Sequence, residues 1–460
     1  MRLSPDTLSS VRNVQRPTYE RADVTPGIVH LGLGNFHRAH QAVYVEDCLA
    51  MTPDWGIRGV SLRRPDMRDA LAPQGGLYTL AVRDGAGTRA RIIGSVLEVL
   101  VAREGVAPVL AALCDPATRI VSLTVTEKGY CRDGAGDLDT SHPGIAADLA
   151  RPEAPVSVPG LLVEALRLRR EAGLQPFTVL SCDNLPANGA TLARVVGQFA
   201  RLRDPALAGW IGAEVAFPSS MVDRIVPATT AEDRAGIAAL SGLEDAWPVV
   251  TEPFCQWVVE DHFPAGRPDL AAAGVQFVGD VAPYEHMKLR MLNGAHSTLA
   301  YLGQIKGYET VADVMQDALL ADLVAAVMAE AAGTLPLPRA ELELYASSLQ
   351  TRFRNPALHH KTAQIAMDGS QKLPQRLLAP LTEAHETGRP WGALATGVAG
   401  WVAYLLAADC PVEDPMGQVL SGAAAQGVEA VLDLRAVFGD LSDASWFREA
   451  VLAEVAHLRH

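Results

Sequence analysis

An apolar strand, a glycine turn and the start of a helix follow one another within residues 27–40. Gly32 and Gly34 form the G-x-G of the turn, and His37 stands where a third glycine would complete G-x-G-x-x-G. In this setting the glycines let the backbone approach a pyrophosphate, which the first N–H groups of the helix bind. The segment therefore predicts an α/β domain and, from an incomplete fingerprint, a dinucleotide site. The His37 to His40 spacing could instead indicate a metal, but no cluster of carboxylates or cysteines accompanies it.

Other apolar runs also stop abruptly at polar residues. Residues 55–62, 119–125 and 177–181 predict strands, and residues 159–173 predict a crossover helix. The carboxyl ends of strands form the ligand crevice of an open α/β sheet. We therefore expect the polar residues that follow the last two of these strands to face a ligand, although such residues are also ordinary turn formers. They are Glu127, Asp183, Asn184 and Asn188.

The residues just after the second strand bear on the choice of cofactor. Asp66 could accept hydrogen bonds from the adenosine ribose and repel a 2'-phosphate, which favours NAD. Arg63 and Arg64 argue the other way, because an arginine at this corner can hold a 2'-phosphate. NADP is therefore not excluded.

From about residue 283 helical patterns dominate, at residues 285–302, 311–332, 340–352, 394–406 and 446–458. We expect two domains, residues 1–280 and 281–460, the second mostly helical. A polar and partly cationic run, residues 354–376, interrupts the helices and could be an anion pocket or a solvated loop. In the first domain, Asp223 and Arg224 lie in an apolar segment, where they could pair with each other or Asp223 could face the site.

One helical segment holds polar residues that are costly to bury. At about 100° per residue, Glu285, Lys288, Asn293 and His296 share a wedge of roughly 140° with two leucines. Burial favours the neutral form of an amine, so a lysine here could act as a general base. The alternative is a structural helix whose lysine reaches water and whose other polar groups bond to the backbone.

The composition excludes several classes of protein. The net charge is −14, and we find no Lys/Arg cluster that would follow a nucleic-acid backbone. The 6 cysteines, which include Cys410, form no C-x-x-C pair, so we expect neither a zinc knuckle nor a disulfide framework. With no signal-like leader and no uninterrupted apolar run of about 18 residues, we expect a cytoplasmic protein without membrane spans.

Taken together, the motifs resemble the polyol-specific long-chain dehydrogenases, the mannitol dehydrogenase family, in order and spacing over about residues 27–435. They are residues 32–41, 124–130, 181–184, 221–225, 252–254 and 288–296. The resemblance implies an α/β fold in which an extended Rossmann-type domain precedes a mostly α-helical substrate domain. It also implies that NAD is the cofactor and that no metal is needed. The loop of this family resembles G-x-G-x-F-H-R-A-H, which accounts for His37.

The resemblance assigns roles to individual residues. It implies that Lys288 is the general base, that Asn184 and Asn293 polarise the substrate oxygen, and that His296 orients the substrate. Glu285 and Asp223 match supporting acidic positions, Glu285 as a path for protons to solvent. The cofactor residues that it implies are Gly32, Gly34, Asn35, Phe36, His37, Arg38, Asp66 and Glu127.

Substrate choice depends on residues farther along the chain. Mannitol 2-dehydrogenases resemble one another in an arginine where this chain has Gln364, eight residues before Lys372. Residues 364–376 instead resemble the fructuronate reductase branch, which interconverts D-mannonate and D-fructuronate. A hexonate carboxylate would need a cation, and the candidates are His360, Lys361, Lys372 and Arg376.

Two alternatives stay open. One is a mannitol 2-dehydrogenase that converts D-mannitol to D-fructose, and the other is a non-catalytic, nucleotide-binding redox sensor. In each case we expect small-molecule ligands and a monomer or small homo-oligomer.

Overall fold

The computed structural model describes residues 1–408 and 412–459. These form two compact units, Met1–Ala282 and Pro283–His460. Cys410 lies outside the described residues, and the other cysteines are free thiols: Cys48, Cys114, Cys131, Cys182 and Cys255. Within the described ranges, none of the helices combines the length and apolar character needed to cross a bilayer.

The first unit alternates strands and helices. Its strands are β1 (Pro26–Leu31), β2 (Gly56–Ser61), β3 (Tyr78–Asp84), β4 (Gly87–Ile93), β5 (Val96–Val101), β6 (Ile120–Leu123), β7 (Thr178–Ser181), β8 (Ser220–Asp223), β9 (Val249–Thr251), β10 (Gln256–Glu260) and β11 (Gln276–Val278). Its α-helices are α1 (Asn35–Ala39), α2 (Gln41–Cys48), α3 (Asp66–Leu71), α4 (Val106–Leu113), α5 (Pro143–Ala150), α6 (Val158–Glu171), α7 (Asn188–Arg203), α8 (Pro205–Glu214) and α9 (Ala231–Ser241).

A five-stranded parallel sheet has the order β5-β2-β1-β6-β7. Counted along the chain these strands run 3-2-1-4-5, the order of the dinucleotide-binding fold. The predicted Rossmann-type domain is therefore confirmed. The order reverses between β1 and β6, so a ligand crevice is expected at their carboxyl ends.

Smaller sheets complete the first unit. The β3-β4 hairpin pairs with β9, and β10 lies between β8 and β11. The apolar runs of the sequence predict β2, β6 and β7, but they do not predict these smaller sheets. Their strands carry fewer uninterrupted apolar residues, and the hairpin strand β4 is mostly exposed or half-buried.

The second unit is mostly helical, as predicted. Its α-helices are α10 (Ala282–Met287), α11 (Gly294–Lys306), α12 (Val311–Val314), α13 (Ala318–Ala332), α14 (Arg339–Phe353), α15 (Thr362–Ala366), α16 (Gly369–Leu373), α17 (Ala379–Glu386), α18 (Gly392–Ala407), α19 (Gly417–Ala424), α20 (Val428–Leu432), α21 (Arg435–Phe438) and α22 (Ser445–Leu458). Two π-helical turns, Lys288–Asn293 and Pro374–Leu378, connect α10 to α11 and α16 to α17.

Two buried helices, α11 and α18, pack closely in the second unit. A Cβ added to Gly397 would lie 2.6 Å from Thr298 Oγ1, and one added to Gly400 would lie 3.0 Å from Leu302 Cδ2. The small residues of α18 therefore allow α11 to approach. The N-terminal end of α11 follows the π-helical turn that carries Lys288, so this packing fixes the helix on which the candidate site is built.

Candidate active site

The glycine turn after β1 is held against the end of β6. Gly32 has φ +92°, and a Cβ there would lie 2.2 Å from the Thr124 carbonyl oxygen, so only glycine fits. The hydroxyl of Thr124 donates back to the Gly32 carbonyl at 2.9 Å. The turn therefore has one conformation, set by its contact with the neighbouring strand.

Two stacked histidines support this turn from inside the unit. His30 bonds through its ring nitrogens to Ser122 Oγ at 2.8 Å and Thr124 Oγ1 at 2.9 Å. The ring of His37 stacks on it at 3.5 Å. Burial lowers the pKa of His30 to about 3 and holds the pKa of His37 well below its ordinary value, where His30, Arg38 and His40 add to the shift. Both rings are therefore neutral at physiological pH.

Arg38, another predicted cofactor residue, is also buried. Its guanidinium donates to the Trp247 carbonyl at 2.5 Å and to Asn35 Oδ1 at 2.7 Å, and burial lowers its pKa to about 10. Its own carbonyl accepts a hydrogen bond from the Tyr78 hydroxyl at 2.6 Å. In this structure Arg38 ties the first helical turn to the interior.

A hollow of about 480 Å³ opens at the expected crevice. Its walls include Gly32, Ser61, Arg63, Arg64, Asp66, Thr126, Lys128, His142, Ser157 and Trp247. Asp66 is partly exposed and lies 3.4 Å from Arg64 Nε, measured from its Oδ2. The predicted residues Gly32 and Asp66 thus line one cleft, together with Arg63 and Arg64, the arginines that could hold a 2'-phosphate.

Sequence reasoning missed His142 and Ser157. Each caps a helix that lines the cleft, accepting hydrogen bonds from Gly144 N at 3.2 Å and Gly160 N at 3.1 Å. A capping residue followed within two positions by proline is the signal that could have located both helix starts.

Asp183 and Asn188, at the end of β7, bond mainly to the backbone. Asp183 accepts from the N–H groups of Val125 at 3.1 Å and Thr126 at 2.8 Å, and from the Tyr130 hydroxyl at 2.9 Å. Burial raises its pKa against the effect of these hydrogen bonds. Asn188 donates to the Asp183 and Ser220 carbonyls. Both side chains shape the strand ends.

Other predicted residues of the first unit lie at strand ends. Glu127 and Asn184 are exposed after β6 and β7. Asp223 ends β8 and is 5% exposed. Its neighbour Arg224 donates to the carbonyls of Glu252 and Ala39.

In the second unit, Lys288 and Asn293 begin and end a π-helical turn. In an α-helix five residues leave two side chains about 140° apart. A π-helix, bonded i to i+5, turns through a smaller angle per residue, so five residues leave the two side chains closer to one face. The wedge expected from regular helix geometry is therefore narrower here. Arg290, on this turn, bonds to Glu383 and Thr334, each at 2.7 Å.

His296 follows on the first turn of α11 as a neutral ring. It packs on Phe353 at 4.5 Å and near His360 at 5.6 Å. Burial, and then the nearby His360, Arg352 and Arg376, hold its pKa well below the ordinary value. Within the described residues its buried Nε2 has no hydrogen-bond partner. A neutral imidazole with a free nitrogen is suited to orient a substrate hydroxyl.

Gln364 and two of the predicted cations, Lys361 and Lys372, make no contact with His296 within the described residues. Gln364 is exposed on α15 and lines a hollow of about 580 Å³ with Lys361, Gln304 and Tyr404. Lys372 bonds to the carbonyls of Ile365 and Met367.

His360 and Arg376 lie next to His296. Arg352, 5% exposed, joins them and was missed because nothing in the sequence of α14 distinguishes it from the other helical arginines. In residues 1–408 and 412–459, no group of three or more His, Cys, Asp or Glu could hold a metal ion.

Comparisons with known proteins identify the family. Residues 26–272 match the mannitol dehydrogenase Rossmann domain, and residues 280–459 match the mannitol dehydrogenase C-terminal domain. The chain therefore belongs to the mannitol dehydrogenase family, and it is an oxidoreductase.

Its relatives include D-mannonate oxidoreductase of Escherichia coli, 49% identical over 93% of this chain and 92% of that protein. Mannitol 2-dehydrogenase of Pyrenophora tritici-repentis is 43% identical over 96% and 81%. A solved structure of Pseudomonas fluorescens mannitol 2-dehydrogenase, a ternary complex with NAD and D-mannitol, is 38% identical with a TM-score of 0.83, covering 100% of this chain and 97% of that one.

Proposed function

We propose that this oxidoreductase oxidises D-mannonate to D-fructuronate with NAD and catalyses the reverse reaction with NADH. The observation that supports the chemistry is the π-helical turn from Lys288 to Asn293, three residues before the neutral His296. Its geometry favours a shared face for the Lys288 and Asn293 side chains. The similarity to D-mannonate oxidoreductase and the glutamine at position 364 support the substrate.

The cleft of the first unit fits a dinucleotide. It opens where the strand order reverses, and it lies in the size range of small-molecule sites. A Cβ on Gly34 would make a single ordinary van der Waals contact, at 3.7 Å from the Gly32 carbonyl oxygen, so little protein fills the space beside this glycine. When bound, NAD would accept the hydride. Gly32, Gly34 and Asn35 would hold it from the turn, and Asp66 would hold its ribose.

The side chains of this protein transfer the proton and stabilise the charge that develops on the substrate oxygen. The Lys288 amine takes the hydroxyl proton, and the Asn293 amide donates a hydrogen bond to the developing alkoxide. The resemblance to the family assigns the Asn184 amide the same role as Asn293. Losing one such donor should cost about 3 kcal/mol of transition-state stabilisation. His296 orients the substrate, and Glu285 passes the proton to solvent. Asp223 supports substrate binding.

A second candidate is the oxidation of D-mannitol to D-fructose, which the similarity to mannitol 2-dehydrogenases favours. Initial rates with NADH, on D-fructuronate and on D-fructose, separate the two. We expect a higher kcat/KM for D-fructuronate. A clear preference for D-fructose would remove the hexonate proposal and leave the polyol one.

Cofactor preference has its own test. Asp66→Ala should weaken discrimination against NADP, because it removes the carboxylate that repels a 2'-phosphate. Arg64→Ala serves as the matched variant, since it removes the arginine that lies against this carboxylate. If the wild type already prefers NADPH, the arginines decide the site and the proposed role of Asp66 is wrong.

A further inference from the structure

The proposed hexonate substrate carries a carboxylate, and the predicted cations are not equally available to bind it. Lys361 Nζ lies 3.6 Å from Glu309 Oε1, and these side chains are 62% and 75% exposed. Lys372 Nζ donates to the Met367 carbonyl at 2.5 Å and the Ile365 carbonyl at 3.3 Å. Lys361 therefore forms a surface ion pair, and the ammonium group of Lys372 is bonded to backbone carbonyls of its own loop.

Arg376 is placed differently. It lies on the second π-helical turn, whose backbone meets the start of α11: a Cβ on Gly294 would lie 2.9 Å from the Arg376 carbonyl oxygen. Its guanidinium donates to Ser297 Oγ at 3.1 Å, one residue beyond His296. In the part of the chain that the structure describes, no salt bridge joins Arg376 to a carboxylate, and no carboxylate contributes to the shift of its pKa.

A guanidinium so placed is costly without an anion. Burial lowers the pKa of Arg376, yet an arginine stays charged under all conditions in which proteins fold. A neutral hydroxyl satisfies one of its five N–H donors and none of its charge. The cation is therefore poised for an anionic ligand.

The surroundings of Arg376 add a second, independent observation. His296 leaves its buried Nε2 without a partner among the described residues. Arg352 is buried close by, and His360 stands 5.6 Å from the His296 ring. A ligand that carries an anion next to hydroxyl groups would satisfy both the guanidinium and the imidazole.

We propose that Arg376 binds the substrate carboxylate, while His296 Nε2 bonds to a hydroxyl of the same molecule. Arg376 is then the residue that selects a hexonate over a neutral polyol. This inference rests on the proposed function, and it favours Arg376 over the two lysines. Arg376 is also favoured over His360, because burial lowers the pKa of His360 and so disfavours its charged form.

The test compares an acidic and a neutral substrate in Arg376→Met and Arg376→Lys. With NADH, Arg376→Met should lower kcat/KM for D-fructuronate about 100-fold, mainly through KM, because a charge-assisted hydrogen-bond pair is lost. With D-fructose, kcat/KM should change less than about fivefold. Arg376→Lys keeps the charge but loses the planar fork, so its defect with D-fructuronate should be intermediate.

Arg339→Ala is the matched control, an arginine of the second unit that is 91% exposed and pairs with Glu343. Arg339→Ala should leave kcat/KM unchanged for both substrates. An equal loss with both substrates in the Arg376 variants would mean that Arg376 only positions α11, which overturns the proposal. Retention of D-fructuronate activity would overturn it as well. Melting curves identify a variant that fails to fold, in which case Arg376→Lys alone decides.

A separate result, obtained with the wild type, would show that the proposed function is wrong. If the wild type reduces D-fructose but not D-fructuronate, the substrate assignment falls while Arg376 can still be tested. D-mannonate should then inhibit D-fructose reduction competitively, and Arg376→Met should raise its inhibition constant about 100-fold. An unchanged inhibition constant would refute the role of Arg376 without reference to turnover.

Discussion

Lys288 and Asn293 are five residues apart, and the helix between them is a π-helical turn, wider than an α-helix. This geometry favours a shared face for the two side chains. The residue types and their order could be read from the sequence, and so could the family that they resemble. Their angular relation could not, because hydropathy has no signature for a π-helical turn and regular geometry leaves the two residues about 140° apart.

We expect Lys288→Ala to lower turnover by about 10²–10⁴-fold, the usual contribution of a general base. NADH affinity should stay nearly unchanged, because the proposed cofactor residues lie in the first unit. Steady-state kinetics and NADH fluorescence titration measure the two effects. Lys306→Ala is the matched control, a lysine at the end of α11 that pairs with Asp317 at 2.8 Å, and it should keep full turnover. A Lys288 variant within about tenfold of wild type would exclude the residue as base.

Other residues show why polar strand ends are ambiguous. Asp183 and Asn184 are neighbours after β7, yet Asp183 is buried on backbone N–H groups and Asn184 is exposed. A sequence shows that a polar residue follows a strand, but not which way its side chain turns. The choice depends on Thr126, whose backbone at φ +64° brings its N–H to Asp183.

At the scale of elements, the strand, turn and helix of residues 26–39 contain two glycines that we expect to have different roles, one in folding and one in cofactor binding. Gly32→Ala should destabilise the first unit, since its φ is positive and the new Cβ would strike Thr124. Gly34→Ala should fold normally, because its nearest contact would be at 3.7 Å, but its methyl group would occupy the space proposed for the pyrophosphate.

Thermal unfolding and the KM for NAD measure these two effects. We expect a lower Tm for Gly32→Ala, and an unchanged Tm with a raised KM for Gly34→Ala. A Gly34→Ala enzyme with normal affinity for NAD would show that the cofactor does not approach this glycine.

The packing of α11 against α18 makes a second prediction at this scale. Gly397→Ala should lower the free energy of unfolding by about 1–3 kcal/mol, because its methyl group would overpack against Thr298. Gly422→Ala is the matched control inside α19, where no atom lies within 4 Å of the new methyl group. It should be neutral, or stabilising by up to about 1 kcal/mol. Denaturant unfolding distinguishes the two, and equal effects would contradict close packing at Gly397.

Helices and strands differed in how well the sequence predicted them. Long apolar runs located β1, β2, β6 and β7 to within a few residues, because buried parallel strands are apolar throughout. The predicted helix at 311–332 is broken after Val314, since Asp317 caps a new helix by accepting from the N–H groups of Leu319 and Leu320. Periodicity continues across such a break, so it cannot reveal it.

At the scale of the whole molecule, buried neutral histidines make stability depend on pH. His30 and His37 have pKa values in the folded state far below the value of about 6.5 expected when unfolded. Below pH 6.5 the unfolded chain binds protons that the folded one does not. Each histidine therefore removes about 1.4 kcal/mol of stability per pH unit, for His30 down to about pH 3.

His37→Phe should retain the stacking and remove one titrating group. Any cost of overpacking would be the same at each pH, so the diagnostic quantity is the slope of the unfolding free energy between pH 6.5 and 5. This slope should become shallower by about 1 kcal/mol per pH unit, since the unfolded histidine is only half protonated at its pKa of about 6.5. Urea titrations at several pH values measure it. His262→Phe, at an exposed histidine, should leave the slope as it is. An unchanged slope in His37→Phe would mean that the ring is protonated when folded.

The π-helical turn at Lys288–Asn293 also constrains the length of the chain. Deleting one residue within it would restore α-helical phase and rotate all of α11 by about 100°, turning its buried face away from α18. Most surface segments tolerate gains and losses of a residue, but this one should not. When homologous sequences are aligned, a gap here would signal lost chemistry even where lysine, asparagine and histidine are all retained.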